Sequence, residues 1–208
     1  MAGHTAEEGK HFATAAFKID DFTRFGWMVN SNPDMPTLKL EDFLDTNIIK
    51  NPLADNFNLY SYNNANEVTP GPAFTTAAVL DGIAKANKAF SAHVPVYGYN
   101  FSWARQPAPW NVLYGAWHTE DLPYLFGNFN KNINCFGWSK ANEPGRKALS
   151  NAMQKSIAAF ARTGDPSHRI LGAKWNKWTP ETRREMVFDA TYKKAKTYMS
   201  EMDSSIRK

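Results

Sequence analysis

The sequence predicts an α/β fold, and three observations carry that reading. Residues 73–90 and 147–162 each repeat apolar side chains at helical spacing: Val79, Ile83, Ala86 and Phe90 in the first, Leu149, Met153, Ile157 and Phe160 in the second. The first stripe is followed by residues 94–101, an apolar and aromatic run with the composition of a strand. A loop bearing His118 comes next. Helix, strand, then functional loop is the order in which an α/β sheet delivers a chemical group at a strand's carboxyl end.

Taken in order, residues 1–3 read as the end of a hydrophobic strand, and Gly3 and Gly9 bracket a turn carrying Glu7 and Glu8. Glu7 is expected to face solvent. On its residues alone, Glu8 reads equally well as an exposed loop charge. Residues 10–63 read as a less regular helical region: Phe12, Ala15 and Ala16 form a short apolar face, and Phe22, Phe25 and Trp27 an aromatic cluster. Pro33 and Pro36 break the pattern before a helix over 38–49 that Thr37 caps. A turn-rich loop over 63–72 leads into the first striped helix. Pro95 sits near the start of the 94–101 strand, where a missing N–H is tolerated. The Pro-rich segment 103–110, with Trp103 and Trp110, is a candidate pocket rim, and 131–145 reads as a polar surface excursion.

The second striped helix ends at Gly164, positioned as its left-handed terminator, with Asp165-Pro166 beyond it. A short strand over 185–188 follows. Residues from Tyr192 onward read as a helical tail with Lys193, Lys194 and Lys196 on a solvated face. No repeat and no linker divides residues 1–208, so a single domain is expected.

Composition narrows the function classes. Hydrophobic residues are 43% and charged residues 21% of the chain, ordinary for a globular protein. The net charge of +4 is spread along the sequence, which gives nucleic-acid binding little support. No run approaches the roughly 18 apolar residues of a membrane span, and Met1-Ala-Gly-His4 is not a signal peptide. Cys135 is the single cysteine, so no intrachain disulfide can form. His4, His11, His93, His118 and His168 are dispersed, and none pairs at metal-ligand spacing. His4 and His11 are expected at the surface. No glycine cluster follows a strand and opens a helix, so no phosphate loop and no cofactor is implied.

The most informative stretch is Gly115-Ala-Trp-His118-Thr-Glu-Asp121-Leu-Pro-Tyr-Leu-Phe-Gly127. A loop lets the imidazole project into a cleft while residues 122–126 anchor the backbone behind it, as a general base requires. A lone loop histidine is more often structural. Here, however, the stretch resembles the histidine segment of the type-B carboxylesterase/lipase family, the α/β-hydrolases that include the cholinesterases. Gly3-His-Thr-Ala-Glu-Glu8-Gly9 resembles that family's acid segment, a glutamate directly before a glycine. Met153-Gln-Lys-Ser-Ile-Ala-Ala-Phe-Ala-Arg-Thr-Gly-Asp-Pro166 resembles its C-terminal helix, and Trp175 and Trp178-Thr-Pro180 its final Trp-Pro turn. The three main motifs come in family order, and the resemblance covers residues 1 to about 195.

The resemblance implies the C-terminal part of an α/β-hydrolase fold, a central sheet flanked by helices, with His118 as general base and Glu8 as its orienting acid. In such a fold residues 10–63 lie over the active-site cleft. The substrate implied is a small carboxylic ester. The family's nucleophile sits in Gly-x-Ser-x-Gly on a strained strand-to-helix turn. That motif is absent here. The nearest sequence, Gly137-Trp-Ser139-Lys-Ala141, lacks the second glycine and follows the histidine. The implied partner is therefore an N-terminal portion of the same fold carrying the serine and the oxyanion hole. Secreted animal members use disulfides, so the resemblance favours a microbial source. A non-catalytic interaction module on this scaffold is the alternative. A carbohydrate-binding module would need mostly strands, against the two striped helices.

Overall fold

The computed structural model describes residues 1–8, 76–107, 111, 114–129 and 137–202. The expected aromatic cluster at 22–27, the helix over 38–49, the 63–72 loop, Gly9, His11, Trp110 and Cys135 lie outside these residues. In chain order the elements are β1 (Ala2–Thr5), α1 (Thr76–Ser91), β2 (Gly98–Phe101), α2 (Leu122–Phe126), α3 (Glu143–Thr163), a short 3-10 turn (Arg169–Leu171), β3 (Arg184–Ala190) and β4 (Ala195–Glu201). The strands form one sheet in the order β1-β2-β3-β4, the first three parallel and β4 antiparallel to β3. Helices pack on this mixed sheet, as an α/β fold requires.

Parallel pairing decides where chemistry can happen. Ala2 pairs with Gly98 and Thr5 with Phe101, so β1 and β2 end level with each other. The residues after them, Ala6 to Glu8 and Ser102 onward, leave the sheet at its carboxyl edge. Ala6 N–H donates to the Phe101 carbonyl at 2.8 Å, and Ser102 N–H to that of Phe188 at 2.8 Å, extending the pairing one step beyond the strands.

The core lies between the sheet and α3. Phe101, Trp103, Tyr124, Leu149, Met153, Trp175 and Phe188 are all within 1% of full burial. Trp103 therefore packs inside and forms no rim. Its ring meets Tyr124 at 5.4 Å, and Trp175 meets Phe188 at 5.4 Å, tilted and edge-on contacts that suit aromatic quadrupoles. The Trp175 indole N–H also donates to the Gly98 carbonyl at 3.0 Å.

Several expectations are corrected. On α1 the buried face runs through Leu80 and Asn87 with Ile83 half-buried, while Ala86 is exposed and Phe90 is 61% exposed. The stripe is rotated by one residue: α1, packed on the four-residue β1, turns Leu80 and Asn87 inward in place of Val79 and Ala86. The regular strand β2 spans Gly98–Phe101 only. Val96 and Tyr97 still accept hydrogen bonds, from Trp178 and Ala2, outside ladder geometry. Helix α3 begins four residues earlier than its stripe, at Glu143. It leaves Ile157 38% exposed and ends at Gly164 with φ 75°, as the terminator pattern anticipates. Within the supposed surface excursion, Trp138 and Asn142 are buried, and the Asn142 amide donates to the Arg105 and Gly137 carbonyls at 2.9 Å each.

The largest correction is the tail. Residues 195–201 are not helical. They form β4, pairing from Ala190↔Ala195 to Arg184↔Glu201. Thr191 builds the turn: its N–H donates to the Lys194 carbonyl, and its hydroxyl accepts from the amides of Lys193 and Lys194. Ala195, Thr197 and Met199 then face inward, alternating with exposed Lys196 and Tyr198, which is the period of a strand. The lysines mark an edge strand and its turn, where charge discourages further pairing.

These placements set a stability contrast. Leu149→Ala should lower unfolding free energy by about 2–5 kcal/mol, the usual cost of an emptied core site. Phe90→Ala should change it by no more than about 0.5 kcal/mol, as for an exposed position. Urea unfolding of the two variants checks the rotated face of α1 directly.

Candidate active site

The site is built where the turn after β1 meets the loop before α2. Glu7 and Ala116 exchange two hydrogen bonds: Glu7 N–H donates to the Ala116 carbonyl at 3.0 Å, and Ala116 N–H donates to Glu7 Oε2 at 2.7 Å. Glu7 thus binds the histidine loop and does not point to solvent, contrary to the sequence expectation. Two residues ahead of a loop histidine, an unpaired amide would be left to a carboxylate that can reach it, and the short turn after β1 supplies one. Gln106 Nε2 donates to the Gly115 carbonyl at 2.6 Å and fixes the same backbone from the other side. Gly115 has φ +55°, and a Cβ there would stand 1.8 Å from Glu7 Oε2. Only glycine satisfies both conditions.

His118 follows this fixed backbone, and Glu8 follows Glu7. His118 Nδ1 donates to Glu8 Oε2 at 2.5 Å, across 110 residues of sequence. The Glu8 side chain is 6% exposed and that of His118 38%. The second carboxylate oxygen, Oε1, accepts the Thr5 N–H at 2.7 Å, so the carboxylate is held by the end of β1 as well as by the ring. On the far side of the imidazole, Thr119 has φ 71°, unusual for a β-branched residue. Backbone strain of this kind costs of order 1–3 kcal/mol and persists only where the surroundings over-determine it. Here the fixed loop lies on one side and α2 on the other, with Leu122 N–H donating to the Thr119 carbonyl at 3.1 Å.

Two further acids flank the pair. Asp121 accepts the Tyr99 hydroxyl at 2.8 Å. Burial raises the Asp121 pKa, the Tyr99 hydrogen bond opposes that, and the charge of Glu8 adds to it. Tyr99 is itself pushed up, by burial first and then by Asp121. Glu120 is 1% exposed, and burial lifts its pKa far above the carboxylate range despite Arg146 nearby. Its side chain faces the core, away from proton-transfer work at the surface.

Other serine and histidine candidates do different jobs. Ser139 closes the turn ahead of α3: its N–H donates to Asn142 Oδ1 and its hydroxyl accepts the Asn142 N–H. Ser156 lies 2.9 Å from His168 Nε2, but the serine is fully buried on a helix and donates to the Ala152 carbonyl. His4, expected at the surface, is 2% exposed and contacts Glu185. Among the described residues no three His, Cys, Asp or Glu side chains group as a metal site, and no helix is long and apolar enough to cross a membrane. A cavity of about 440 Å³ lined by Met1, Ala2, Asn87, Phe90 and Val94 lies at the opposite, amino-terminal ends of β1 and β2.

An imidazole oriented by a buried carboxylate at the carboxyl edge of a parallel sheet is the acid–base arrangement of α/β-hydrolases. The profile of the Carboxylesterase family matches residues 2–206, and the chain belongs to that family. The para-nitrobenzyl esterase of Bacillus subtilis (strain 168) is 31% identical over 100 residues, which cover 48% of this chain and 19% of that protein. The fold matches a carboxylesterase of Geobacillus stearothermophilus with a TM-score of 0.54 at 20% identity, over 98% of this chain and 38% of that one. It matches a PNB esterase with a TM-score of 0.53 at 21% identity, over 95% and 35% respectively. The chain thus spans under two fifths of the length of these solved relatives.

Gly115→Ala is expected to destabilise the chain by at least about 1–3 kcal/mol, through the left-handed backbone and the displaced Glu7 carboxylate. Gly82→Ala, on α1 with nothing within 4 Å of the new methyl, should instead stabilise by about 0.5–1 kcal/mol. Denaturant unfolding of the pair measures how tightly the histidine loop is specified.

Proposed function

We propose that this chain supplies the general base and the orienting acid of a serine-dependent carboxylic ester hydrolase, His118 and Glu8. The serine and oxyanion donors belong to a further, N-terminal portion of the same fold. The observation that carries the reading is the 2.5 Å contact between His118 Nδ1 and a Glu8 carboxylate that is buried and anchored by the Thr5 amide. With Nδ1–H committed to Glu8, the ring's Nε2 is the nitrogen that takes the serine proton as the hydroxyl attacks the ester carbonyl. The resulting imidazolium is stabilised by Glu8, and Nε2–H then protonates the departing alcohol. A water activated the same way hydrolyses the acyl-enzyme. Glu8 stays ionised throughout. It fixes the tautomer and answers the positive charge without carrying the transferred proton.

Glu7, Gln106 and Gly115 serve this chemistry indirectly, by setting the backbone from which His118 projects. Family membership and the fold of carboxylesterases support the same reading.

The test is hydrolysis of a short-chain aryl ester. The chain alone should show no rate above that of its His118→Ala variant, because no serine on a strained elbow is present to use the base. Combined with an N-terminal portion carrying Gly-x-Ser-x-Gly, it should gain organophosphate-sensitive turnover. His118→Ala should then cost on the order of 10⁶ in kcat, and Glu8→Ala less, about 10⁴. Organophosphate-sensitive turnover from the chain alone would mean that it carries its own nucleophile, and the division of labour proposed here would be wrong.

A further inference from the structure

Four residues ahead of Glu8, a second imidazole is buried with no part in the proton transfer just described. His4 Nδ1 lies 2.8 Å from the Thr5 carbonyl oxygen, and its Nε2 lies 2.9 Å from Glu185 Oε2 on β3. The two side chains are 0% and 2% exposed. The contact crosses β2, whose residue level with His4 is the uncharged Asn100 and whose residue level with Glu185 is Gly98. A Cβ on Gly98 would crowd Glu185 Cγ at 3.1 Å, so the missing side chain opens the passage between the outer strands.

Both nitrogens of His4 face oxygens that accept: one a backbone carbonyl, the other a carboxylate. A neutral imidazole has a single N–H and satisfies only one of them. Two protons are needed for the two contacts, and imidazole is a stronger base than carboxylate. We infer that His4 is held as an imidazolium paired with Glu185, and that it is a positioning residue for the Glu8 carboxylate.

The link is Thr5. Its carbonyl receives the His4 Nδ1–H, while its own N–H donates to Glu8 Oε1. Glu185, His4, Thr5, Glu8 and His118 therefore form a continuous run of hydrogen-bonded groups from β3 to the proposed base. The inference rests on the reading of Glu8 and His118 given above.

Among the described residues, the charges facing His4 are Glu185 from β3 and Glu8 from the turn after β1. On α1, which packs on β1, Asp81, Lys85 and Lys88 are exposed. Burial by itself pulls the His4 pKa down, but the hydrogen bond and charge of Glu185, then Thr5 and Glu8, carry it above its ordinary value. A native pKa raised above that of the unfolded chain makes the pair's contribution complete below the ordinary histidine range. That contribution is lost as pH rises through the native value. The hold on Thr5 and Glu8 should weaken in the same direction.

The experiment is nitrogen NMR of the histidine rings in the intact 208-residue chain, with the low-field proton of the His118–Glu8 hydrogen bond read on the same samples. At about pH 7, His4 should show two protonated ring nitrogens. It should lose one as pH rises, and the low-field resonance should broaden and vanish over the same range. In Glu185→Gln, both changes should move together to lower pH. A His4 that is neutral at pH 7, or a low-field proton indifferent to its titration, overturns the inference and leaves the Glu8–His118 pair standing. Absence of the low-field proton at every pH overturns the pair itself, and this inference with it. If Glu185→Gln does not fold, the titration of the unaltered chain decides.

Discussion

A carboxylate taken out of water must be given hydrogen-bond donors, and the arrangement around Glu8 follows from that requirement. Desolvating an ionised carboxyl costs several kcal/mol unless charge-assisted hydrogen bonds replace the lost water. Glu8 is 4% exposed, and its two oxygens take one donor each, the Thr5 amide and the His118 ring. Neither donor can be moved far. The amide belongs to the end of β1, whose register is fixed by pairing with β2. The ring belongs to a loop whose backbone is bracketed by Glu7 and Gln106. The same contacts that make burial of Glu8 tolerable therefore define the direction of the imidazole.

Parallel strand order makes this possible at modest conformational cost. Because β1 and β2 run the same way and end level, residues six to eight and the chain after Phe101 leave the sheet at one edge. Contacts 109 and 110 residues apart in sequence then become neighbours, with the closing of the intervening chain met by the sheet and core. Glycine recurs where side chains must pass close to backbone. Gly115 admits the Glu7 carboxylate, and Gly98 lets Glu185 reach under β2 toward His4. In both places a bulkier residue would separate a charged group from the partner that justifies its burial.

The α/β character, the strand at β2, the α3 terminator at Gly164 and the pairing of Glu8 with His118 were legible because each rests on local chemistry or on a motif. Periodicity served less well where tertiary context decided. Val79, Ile83, Ala86 and Phe90 form a fair helical stripe, yet the buried face includes Asn87, a polar residue no hydropathy pattern would select. The stretch after Tyr192 has three lysines and reads as solvated. It becomes a strand because Thr191 closes a turn and β3 offers an edge, neither of which is visible in the spacing of the lysines. Glu7 and His4 were misplaced for a common reason. Polar residues beside a functional motif default to solvent in a one-dimensional reading, and their partners, Ala116 and Glu185, are 109 and 181 positions away. A glycine directly before the histidine loop was the one available hint for Glu7.

Besides Glu7, the acids Glu8, Glu120 and Asp121 lie close to the His118 loop, and the fold gives these three different surroundings. Glu120 is buried, and desolvation, with the charge of Asp121, outweighs the opposing charge of Arg146 and pushes its pKa well up. Asp121 is also raised by burial, but its Oδ2 is engaged by the Tyr99 hydroxyl, a donor that fixes the carboxyl away from the ring's Nδ1. Glu8 is the acid on which two N–H donors converge. Sequence proximity would favour Asp121, three residues from the histidine on the same loop. Chain geometry opposes it. Asp121 occupies the N-cap position of α2, and its backbone carbonyl accepts the Leu125 and Tyr124 amides, so its side chain leaves along the helix start toward β2. An orienting acid from a different strand end can approach the imidazole edge-on, as a hydrogen bond to Nδ1 demands. The separation of Glu8 from His118 in sequence is thus a consequence of the geometry the ring requires.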